Sequence, residues 1–233
     1  SVDRLTGAVG HARRAAMDHD LERMMSVQVS RADRPAVQQP PRPEGQGASP
    51  VGRGHQSAFG AEVVKIEPPG GDPTRETPGF SMWNRGKKSA VVDRADAAQC
   101  RWLGDLIAGA DICIVKDDAA LAQFGLSRAR LMARNARLIV VELPPYARST
   151  PWLGGHESAA LLGAVGGTAW RQSSTDGGPI DSVFPHLLYV QGVWATVCTV
   201  AALIERERSG FGQAVTVTGI NAVMEAAVGA LTV

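Results

Sequence analysis

Two patterns of apolar residues alternate along the chain after its first quarter. Short runs rich in β-branched residues are separated by longer segments whose apolar positions recur with a helical period. The short runs predict strands, and the longer segments predict helices. The predicted strands are 62–66, 89–92, 112–115, 138–143 and 214–218, and the predicted helices are 96–108, 119–135, 157–165 and 187–208.

The order of these elements predicts the fold class. Strands that are separated by helices need crossover connections, which favour a parallel sheet with helices packed on its faces. Two of the runs, 112–115 and 138–141, are apolar at every position, as is typical of central strands that are covered on both faces. The sequence therefore predicts an α/β fold for residues 58–233.

The first part of the chain has a different character. Between residues 30 and 58, Val37 and Val51 are the only apolar side chains larger than alanine, and prolines interrupt the segment repeatedly. Such a segment buries too little apolar surface to offset the entropy that is lost when it becomes ordered. We therefore expect residues 1–57 to be mostly disordered.

The charge balance narrows the class of partner. The 233 residues contain 24 Lys and Arg against 23 Asp and Glu, which leaves a formal net charge of +1. No broad electrostatic field therefore attracts nucleic acid or an anionic membrane surface. The apolar segment 187–204 is barely long enough to span a bilayer and includes polar side chains, so we expect a buried helix and no membrane span. A small molecule or another protein is the expected partner.

The cysteines bear on the cellular compartment and on metal binding. Cys100, Cys113 and Cys198 lie in apolar segments without CxxC spacing or neighbouring histidine pairs. An odd number of isolated cysteines favours a reducing environment over a disulfide framework. Charged residues also interrupt residues 1–25, where a signal peptide would need an apolar stretch. We expect a cytoplasmic protein without a metal site.

The motifs of several common enzyme classes are missing from the sequence. It contains no GxxxxGK[ST] phosphate loop, no HExxH, no GxSxG elbow and no GxGxxG after a predicted strand. What remains is a Pro- and Gly-rich loop, 68–75, directly after the first predicted strand, where open parallel sheets bind ligands. Arg85, Lys87 and Lys88 precede the second predicted strand and are able to hold phosphates by charge. A solvated basic turn explains the same three residues without a ligand.

A long ordered series of segments resembles a known family. Residues 59–75, FGAEVVKIEPPGGDPTR, and 84–89, NRGKKS, resemble the family III CoA transferases, which include formyl-CoA transferase, carnitine CoA-transferase and α-methylacyl-CoA racemase. Further matches occur, in family order and spacing, at 110–111, 135–139 and 205–213. The resemblance covers nearly all of the chain after its atypical first segment.

The resemblance implies a Rossmann-like large domain, with an open parallel sheet and helices on both faces, in an interlocked homodimer. It also implies that CoA or an acyl-CoA binds at the edge of the sheet as a substrate, with no separate cofactor. Residues 1–58 do not reproduce the family's first strand, so we expect the sheet to lack a central neighbour. Relatives continue beyond the end of this chain, so we expect an incomplete large domain that forms a homo-oligomer or pairs with a partner half.

Positions that bind CoA in the family fall on three loops and on the basic residues beside them. The loops follow the first three predicted strands. The third loop, Lys116-Asp117-Asp118, departs from the family's usual Glu-Asn-Phe sequence, and its two acids would repel a CoA phosphate. The implied CoA-binding residues are Pro68, Arg75, Lys87, Lys88, Val92, Asp93, Arg94, Ala95 and Lys116.

The family's transferases use an aspartate that attacks the acyl thioester and forms a mixed anhydride. When the sequence is aligned back from the predicted helix 187–208, this position is Leu188, which has no group that attacks or transfers a proton. The nearest upstream carboxylate, Asp181, reaches the site only if the loop is shifted. The resemblance therefore implies a CoA transferase, moving CoA between carboxylic acids, whose activity is impaired.

Two other functions remain compatible with the sequence. Family racemases pair a histidine with this aspartate, and His156 lies near the racemase histidine, while His186 is a second histidine close to Leu188. Imidazole is suited to moving the α-proton of a 2-methylacyl-CoA near neutral pH. As a surface histidine at a helix start, His156 would have no such role. The other interpretation is a non-catalytic interaction or scaffold half of a larger or tandem protein.

Overall fold

The computed structural model describes residues 28–31, 61–76, 79–147, 159–171, 177–180 and 186–226. Contacts divide the chain into two compact units. The described residues within Ser26–Pro144 and Gly192–Val217 form the first, which we call the sheet unit. Those within Pro145–Gln191 and Thr218–Val233 belong to the second, which we call the helical unit.

The sheet unit is built on one sheet. Its strands are β1 (Gln28–Arg31), β2 (Glu62–Glu67), β3 (Lys88–Val91), β4 (Ile112–Val115), β5 (Ile139–Glu142) and β6 (Ala214–Thr216). Their order across the sheet is β3-β2-β1-β4-β5-β6. The pairs β2 with β3, β4 with β5, and β5 with β6 are parallel, whereas β1 is antiparallel to both of its neighbours. The α/β class is confirmed, with a sheet that is parallel except at β1.

Strand β1 lies within residues 1–57, which we expected to be mostly disordered and to add no strand to the sheet. Val29 pairs with Val64 on one side and Cys113 on the other, and its side chain is buried. The expected gap in the sheet is therefore filled. Strands β2 and β4 would otherwise have unpaired backbone N–H and C=O groups along one edge each, and β1 pairs with both of them. The four residues of β1 lie beside a long polar segment, and so short a run has no alternation of apolar and polar residues that would predict a strand.

The helices are distributed over both units. In the described residues they are α1 (Phe80–Trp83), α2 (Ala97–Ala108), α3 (Asp118–Ala122), α4 (Arg128–Arg134), α5 (Ala159–Val165), α6 (Thr168–Arg171), α7 (His186–Ser209) and α8 (Gly219–Ala226), with a 3-10 turn at Pro73–Glu76.

The prediction of a single helix over 119–135 is wrong, because this segment forms two helices, α3 and α4. Gly125 adopts a φ of +68°, a left-handed conformation that ends a helix. Ser127 then begins α4, because its hydroxyl oxygen accepts a hydrogen bond from the amide of Arg130 (3.4 Å). The apolar period continues across this break, so the pattern alone indicated one helix.

The core of the sheet unit lies between helices α2 to α4 and one face of the sheet. Alternate residues of the strands, such as Ile66, Cys113 and Val140, pack with Leu103 and Leu131 of the helices. The other face of β4 and β5 is buried as well, as the apolar sequence of β4 and the apolar run 139–141 of β5 predict. Burial raises the pKa of the Cys113 thiol to about 12, so this cysteine is an inert core residue.

The helical unit has its own apolar cluster. Tyr146, Leu162, Leu187 and Val223 form its centre. Helices α5 and α8 approach closely, since a Cβ added at Gly166 would lie 1.6 Å from Cγ1 of Val223. Only glycine allows this contact. Partly buried side chains packed against the centre are Leu161, Leu188 and Ile220.

Candidate functional site

Loops that follow four strands meet at one edge of the sheet. Strands β2, β3, β4 and β5 run in the same direction, so the residues after them lie at a common edge, which we call the carboxyl edge. The amide of Val92 donates to the Glu67 carbonyl (2.9 Å), and that of Leu143 donates to the Val115 carbonyl (3.0 Å). These bonds hold neighbouring strand ends together. Seven implied CoA-binding residues lie on these loops: Pro68, Arg75, Val92, Asp93, Arg94, Ala95 and Lys116.

The loop after β2 is anchored by a group of buried charges. Lys65 and Glu67 lie on the same face of β2, with the Lys65 Nζ 3.5 Å from Glu67 Oε1. The Lys65 ammonium also donates to Asp72, and it lies 4.8 Å from the ring centroid of Phe80. Buried charges are tolerated when they are paired and hydrogen-bonded. We call Lys65, Glu67 and Asp72 the β2 charge cluster.

Asp72 shapes the loop through its second carboxylate oxygen. That oxygen accepts hydrogen bonds from the amide (2.7 Å) and the hydroxyl (2.6 Å) of Thr74. The Asp72 amide in turn donates to Glu67 Oε2 (3.1 Å), and the carboxylate of Glu67 also accepts from Arg75. The implied CoA ligand Arg75 is therefore held by the loop's own ion pair, although half of its side chain is exposed.

The β2 charge cluster lowers the pKa values of its two acids. Burial alone would raise the pKa of Glu67, but the hydrogen bond from Arg75 and the charge of Lys65 outweigh it and hold the pKa below its usual value. Burial likewise opposes ionisation of Asp72, and the hydrogen bonds from Lys65 and Thr74 outweigh it, so its pKa is also lowered. Both acids are ionised near neutral pH.

Acid is expected to weaken the sheet unit through these two carboxylates. A lowered folded pKa means that the unfolded chain binds more protons, so stability is present above the usual values of 4.5 and 3.8 and is lost as the pH falls through the folded values. Urea denaturation between about pH 7 and pH 3 measures the free energy of unfolding. In Asp72→Asn, the free energy of unfolding should fall less steeply below about pH 4. Asp105→Asn, which removes the acid of an exposed pair with Arg134, should leave this pH dependence unchanged. Equal slopes in all three proteins would contradict the assignment.

The loop after β3 is fixed by two aspartates. Asp93 accepts from the amide of Ala95 (2.8 Å), and Asp96 accepts from the amide of Ala98 (2.7 Å) at the start of α2. Hydrogen bonds from the helix amides lower the pKa of Asp96. Arg94 is exposed and donates to Gln123 (2.7 Å), which follows α3. Its guanidinium therefore links the loop after β3 to the C-terminal end of α3.

Acidic residues in the loop after β4 also have structural roles. Asp117 accepts from the amide of Ala120 (2.8 Å) and begins α3. Asp118 accepts from the amide of Arg128 (2.7 Å) at the start of α4. Their negative charge remains at the carboxyl edge, but both carboxylates are committed to helix ends. Lys116, between them and β4, is half-buried.

A buried ion pair at the end of β5 was missed by sequence reasoning. Glu142 is buried, and its carboxylate accepts from Arg128 (2.8 Å) and from the hydroxyl of Thr216 (3.2 Å). In the sequence, Glu142 directly follows the apolar run 138–141. A charged residue at the end of an apolar strand is the signal from which this site could have been predicted.

Lys87 and Lys88 lie elsewhere. Lys88 begins β3 and pairs with Glu62 at the beginning of β2, so both lysines belong to the amino edge of the sheet. The Lys87 ammonium lies 3.4 Å from the Trp83 carbonyl. A strand of this length separates its two ends by about 10 Å. The structure therefore does not bring these two implied CoA ligands to the carboxyl edge.

The candidate catalytic residues His156 and Asp181 lie outside the described residues. Leu188 occupies the first turn of α7 in the helical unit, where it packs against the apolar cluster. His186 begins the same helix and is half-buried. Among the described residues, no group of three or more His, Cys, Asp or Glu side chains is arranged to hold a metal ion, and the three cysteines are free.

Comparisons with known proteins place these features in a family. A probable CoA-transferase of Mycobacterium tuberculosis is 31% identical over 72% of this chain and 22% of its own length. Formyl-CoA:oxalate CoA-transferase of Escherichia coli is 30% identical over 71% of this chain and 42% of its own length. The chain thus spans less than half of these relatives.

Solved structures agree with the fold. A hypothetical protein from Mycobacterium tuberculosis matches with a TM-score of 0.71 at 25% identity, covering 80% of this chain and 55% of that one. A CaiB/BaiF family protein from Brucella suis has the same fold, with a TM-score of 0.69 at 23% identity over 78% of this chain and 53% of its own. The family model of CoA-transferase family III matches residues 46–232. The chain belongs to CoA-transferase family III.

Proposed function

We propose that the carboxyl edge binds the nucleotide part of CoA or of an acyl-CoA, and that the chain takes part in moving CoA between carboxylic acids. Membership of CoA-transferase family III supports this reaction class. CoA serves as a substrate, and no separate cofactor is involved. Because Leu188 stands where the resemblance expects the nucleophilic aspartate, the chain alone carries out the transfer step poorly.

The observation that carries this proposal is the fixed shape of three loops at one edge. The carboxylates of Asp72, Asp93 and Asp117 each accept a hydrogen bond from a backbone amide two or three residues farther along the chain. Loops that are already ordered lose little conformational freedom when a ligand binds. Arg94 and Lys116 add positive charge beside these loops, which suits the phosphates of a nucleotide.

Calorimetric titration with CoA tests the binding site. Arg94→Ala should weaken CoA binding about tenfold or more, because a hydrogen bond to a charged group is worth about 1.5–3 kcal/mol and 1.4 kcal/mol is a factor of ten. The matched control is Arg134→Ala, which removes an exposed arginine from the last turn of α4, whose first turn lies at the carboxyl edge. This control should bind CoA like the unchanged protein.

Two results would overturn the binding proposal. One is the lack of any heat of CoA binding at millimolar concentration in the unchanged protein. The other is equal weakening by Arg94→Ala and Arg134→Ala, since a general charge effect and not a site at the carboxyl edge would then explain the binding.

A non-catalytic role is the second candidate, and the packing of Leu188 favours it. The side chain of Leu188 is partly buried against the apolar cluster of the helical unit, where an apolar residue adds to the packing. A chain with this packing holds an acyl-CoA while another chain supplies the reacting carboxylate. Transfer activity of a Leu188→Asp variant separates the two roles.

A further inference from the structure

Arg128 lies where two segments of the sheet unit meet at the carboxyl edge. It is the first residue of α4, and its amide donates to Asp118 Oδ1 (2.7 Å) at the start of α3. Its guanidinium Nη1 donates to Oε2 of Glu142 (2.8 Å), the last residue of β5. Arg128 is therefore fixed between the segment that follows β4 and the end of β5.

Glu142 holds this guanidinium from the protein side. The Glu142 side chain is 1% exposed, and its Oε2 accepts from Arg128 and also from the hydroxyl of Thr216 (3.2 Å) on β6. A buried carboxylate needs a cation close to it, because an unpaired buried charge is strongly unfavourable. The ion pair therefore keeps the guanidinium in one position without the help of a ligand.

The other side of the Arg128 guanidinium is open. Its side chain is 30% exposed, whereas the carboxylate behind it is buried. A guanidinium carries several N–H donors and often makes two parallel hydrogen bonds to a carboxylate. Within the described part of the chain, Nη1 makes the bond to Glu142, and Nε and Nη2 of Arg128 make no hydrogen bond. Donors therefore remain for a second anion.

We propose that Arg128, positioned by Glu142, binds a phosphate group of CoA at the carboxyl edge. This inference rests on the proposed function and adds a binding residue to it. Arginine suits a phosphate because its planar N–H donors match two phosphate oxygens at once. Arg94 and Lys116 belong to loops at the same edge, so Arg128 adds another cation where the nucleotide is expected.

The buried carboxylate does not cancel the attraction of Arg128 for a phosphate. A phosphate on the open side of the guanidinium is closer to the cation than to Glu142, which lies behind it. Coulomb energy falls with distance, so the attraction exceeds the repulsion. Because Glu142 already fixes the guanidinium, Arg128 also loses little conformational freedom when the phosphate binds.

Two variants separate this role from a purely structural one. Removal of Arg128 alone would leave Glu142 as an unpaired buried charge and destabilise the fold. Glu142→Gln removes that charge and keeps an oxygen that accepts from Arg128 and Thr216, so it serves as the background. Arg128→Met/Glu142→Gln then removes the guanidinium as well, while the unbranched methionine retains the packing of the arginine stem.

Calorimetric titration with CoA compares these two variants. Arg128→Met/Glu142→Gln should bind CoA about tenfold or more weakly than Glu142→Gln, because it lacks a hydrogen bond to a charged group. Added NaCl, from about 0.05 to about 0.5 M, gives a second readout. The CoA affinity of Glu142→Gln should fall more steeply over this range, since it retains one more charge contact that salt screens.

Arg130→Met is the matched control. It removes an exposed arginine from the same turn of α4, and it should bind CoA like the unchanged protein. A similar loss of affinity in this control would overturn the proposal, because a general charge effect would then explain the binding.

The remaining outcomes distinguish this proposal from the proposed function. If Glu142→Gln and Arg128→Met/Glu142→Gln bind CoA equally, or lose affinity equally with salt, the ion pair only stabilises the fold and the role of Arg128 is overturned. CoA binding at the carboxyl edge still stands in that case, provided that Arg94→Ala weakens it. If the unchanged protein gives no heat of CoA binding, both proposals are overturned together.

Discussion

Replacement of Lys65 by methionine is expected to destabilise the sheet unit by about 3–5 kcal/mol, because it takes the cation from the buried carboxylate of Asp72 and leaves Glu67 with Arg75 alone. The side chain of Lys65 is 3% exposed and pairs with both Glu67 and Asp72. Methionine fills a similar volume, so the loss measures the charge and not a cavity. Urea denaturation at neutral pH, followed by circular dichroism, gives the free energy of unfolding.

Lys88→Met is the matched control for this experiment. It removes the same charge from a lysine whose partner, Glu62, is 48% exposed. An exposed pair of this kind contributes about 0–1 kcal/mol, so the control should unfold almost like the unchanged protein. If both methionine variants lose the same free energy of unfolding, the β2 charge cluster does not anchor its loop in the way described.

Leu188→Asp is expected to raise CoA-transfer activity about 100-fold or more, because removal of a nucleophile from an enzyme typically costs at least this factor. The new carboxylate attacks the thioester carbonyl, and the CoA thiolate leaves as a mixed anhydride forms on the enzyme. Transfer of CoA from an acyl-CoA to a second carboxylic acid is followed by chromatography of the two thioesters.

Leu188→Asn controls for the polar substitution. Asparagine has nearly the same size as aspartate and disturbs the apolar cluster around Leu188 similarly, but it does not form the anhydride. Activity in the aspartate variant alone supports a degenerate transferase. If neither variant transfers CoA while both still bind it and unfold alike, the impaired-transferase proposal fails and the non-catalytic role is favoured.

Much of the sheet unit is predictable because its strands differ sharply in pattern from its helices. The wholly apolar β4 and the apolar run 139–141 of β5 lie in central strands, as expected, since strands covered on both faces are mostly apolar. Helix α2 begins after Asp96 and ends at Ala108, close to the expected bounds, because a capping residue and a glycine mark its two ends. In each case a local signal was sufficient.

The remaining features depend on distant residues and carry no local signal. Strand β1 exists because β2 and β4 both need a backbone partner, although those strands lie far along the chain. The pairing of Arg128 with Glu142 likewise joins a helix start to a strand end. Arg94 and Lys88 lie at opposite edges of the sheet because they stand at opposite ends of β3. The positions of basic residues in the sequence do not show at which edge each will lie.

The position of β1 also gives the sheet a particular vulnerability. Within the described strands, β3 and β2 are joined to β4, β5 and β6 only through the four residues of β1. Detachment of that short segment would leave two open strand edges, those of β2 and β4, at the same time. Loss of the β1 pairing would therefore divide the hydrogen-bonded sheet into two parts, each with an open edge that can pair with a strand of another molecule.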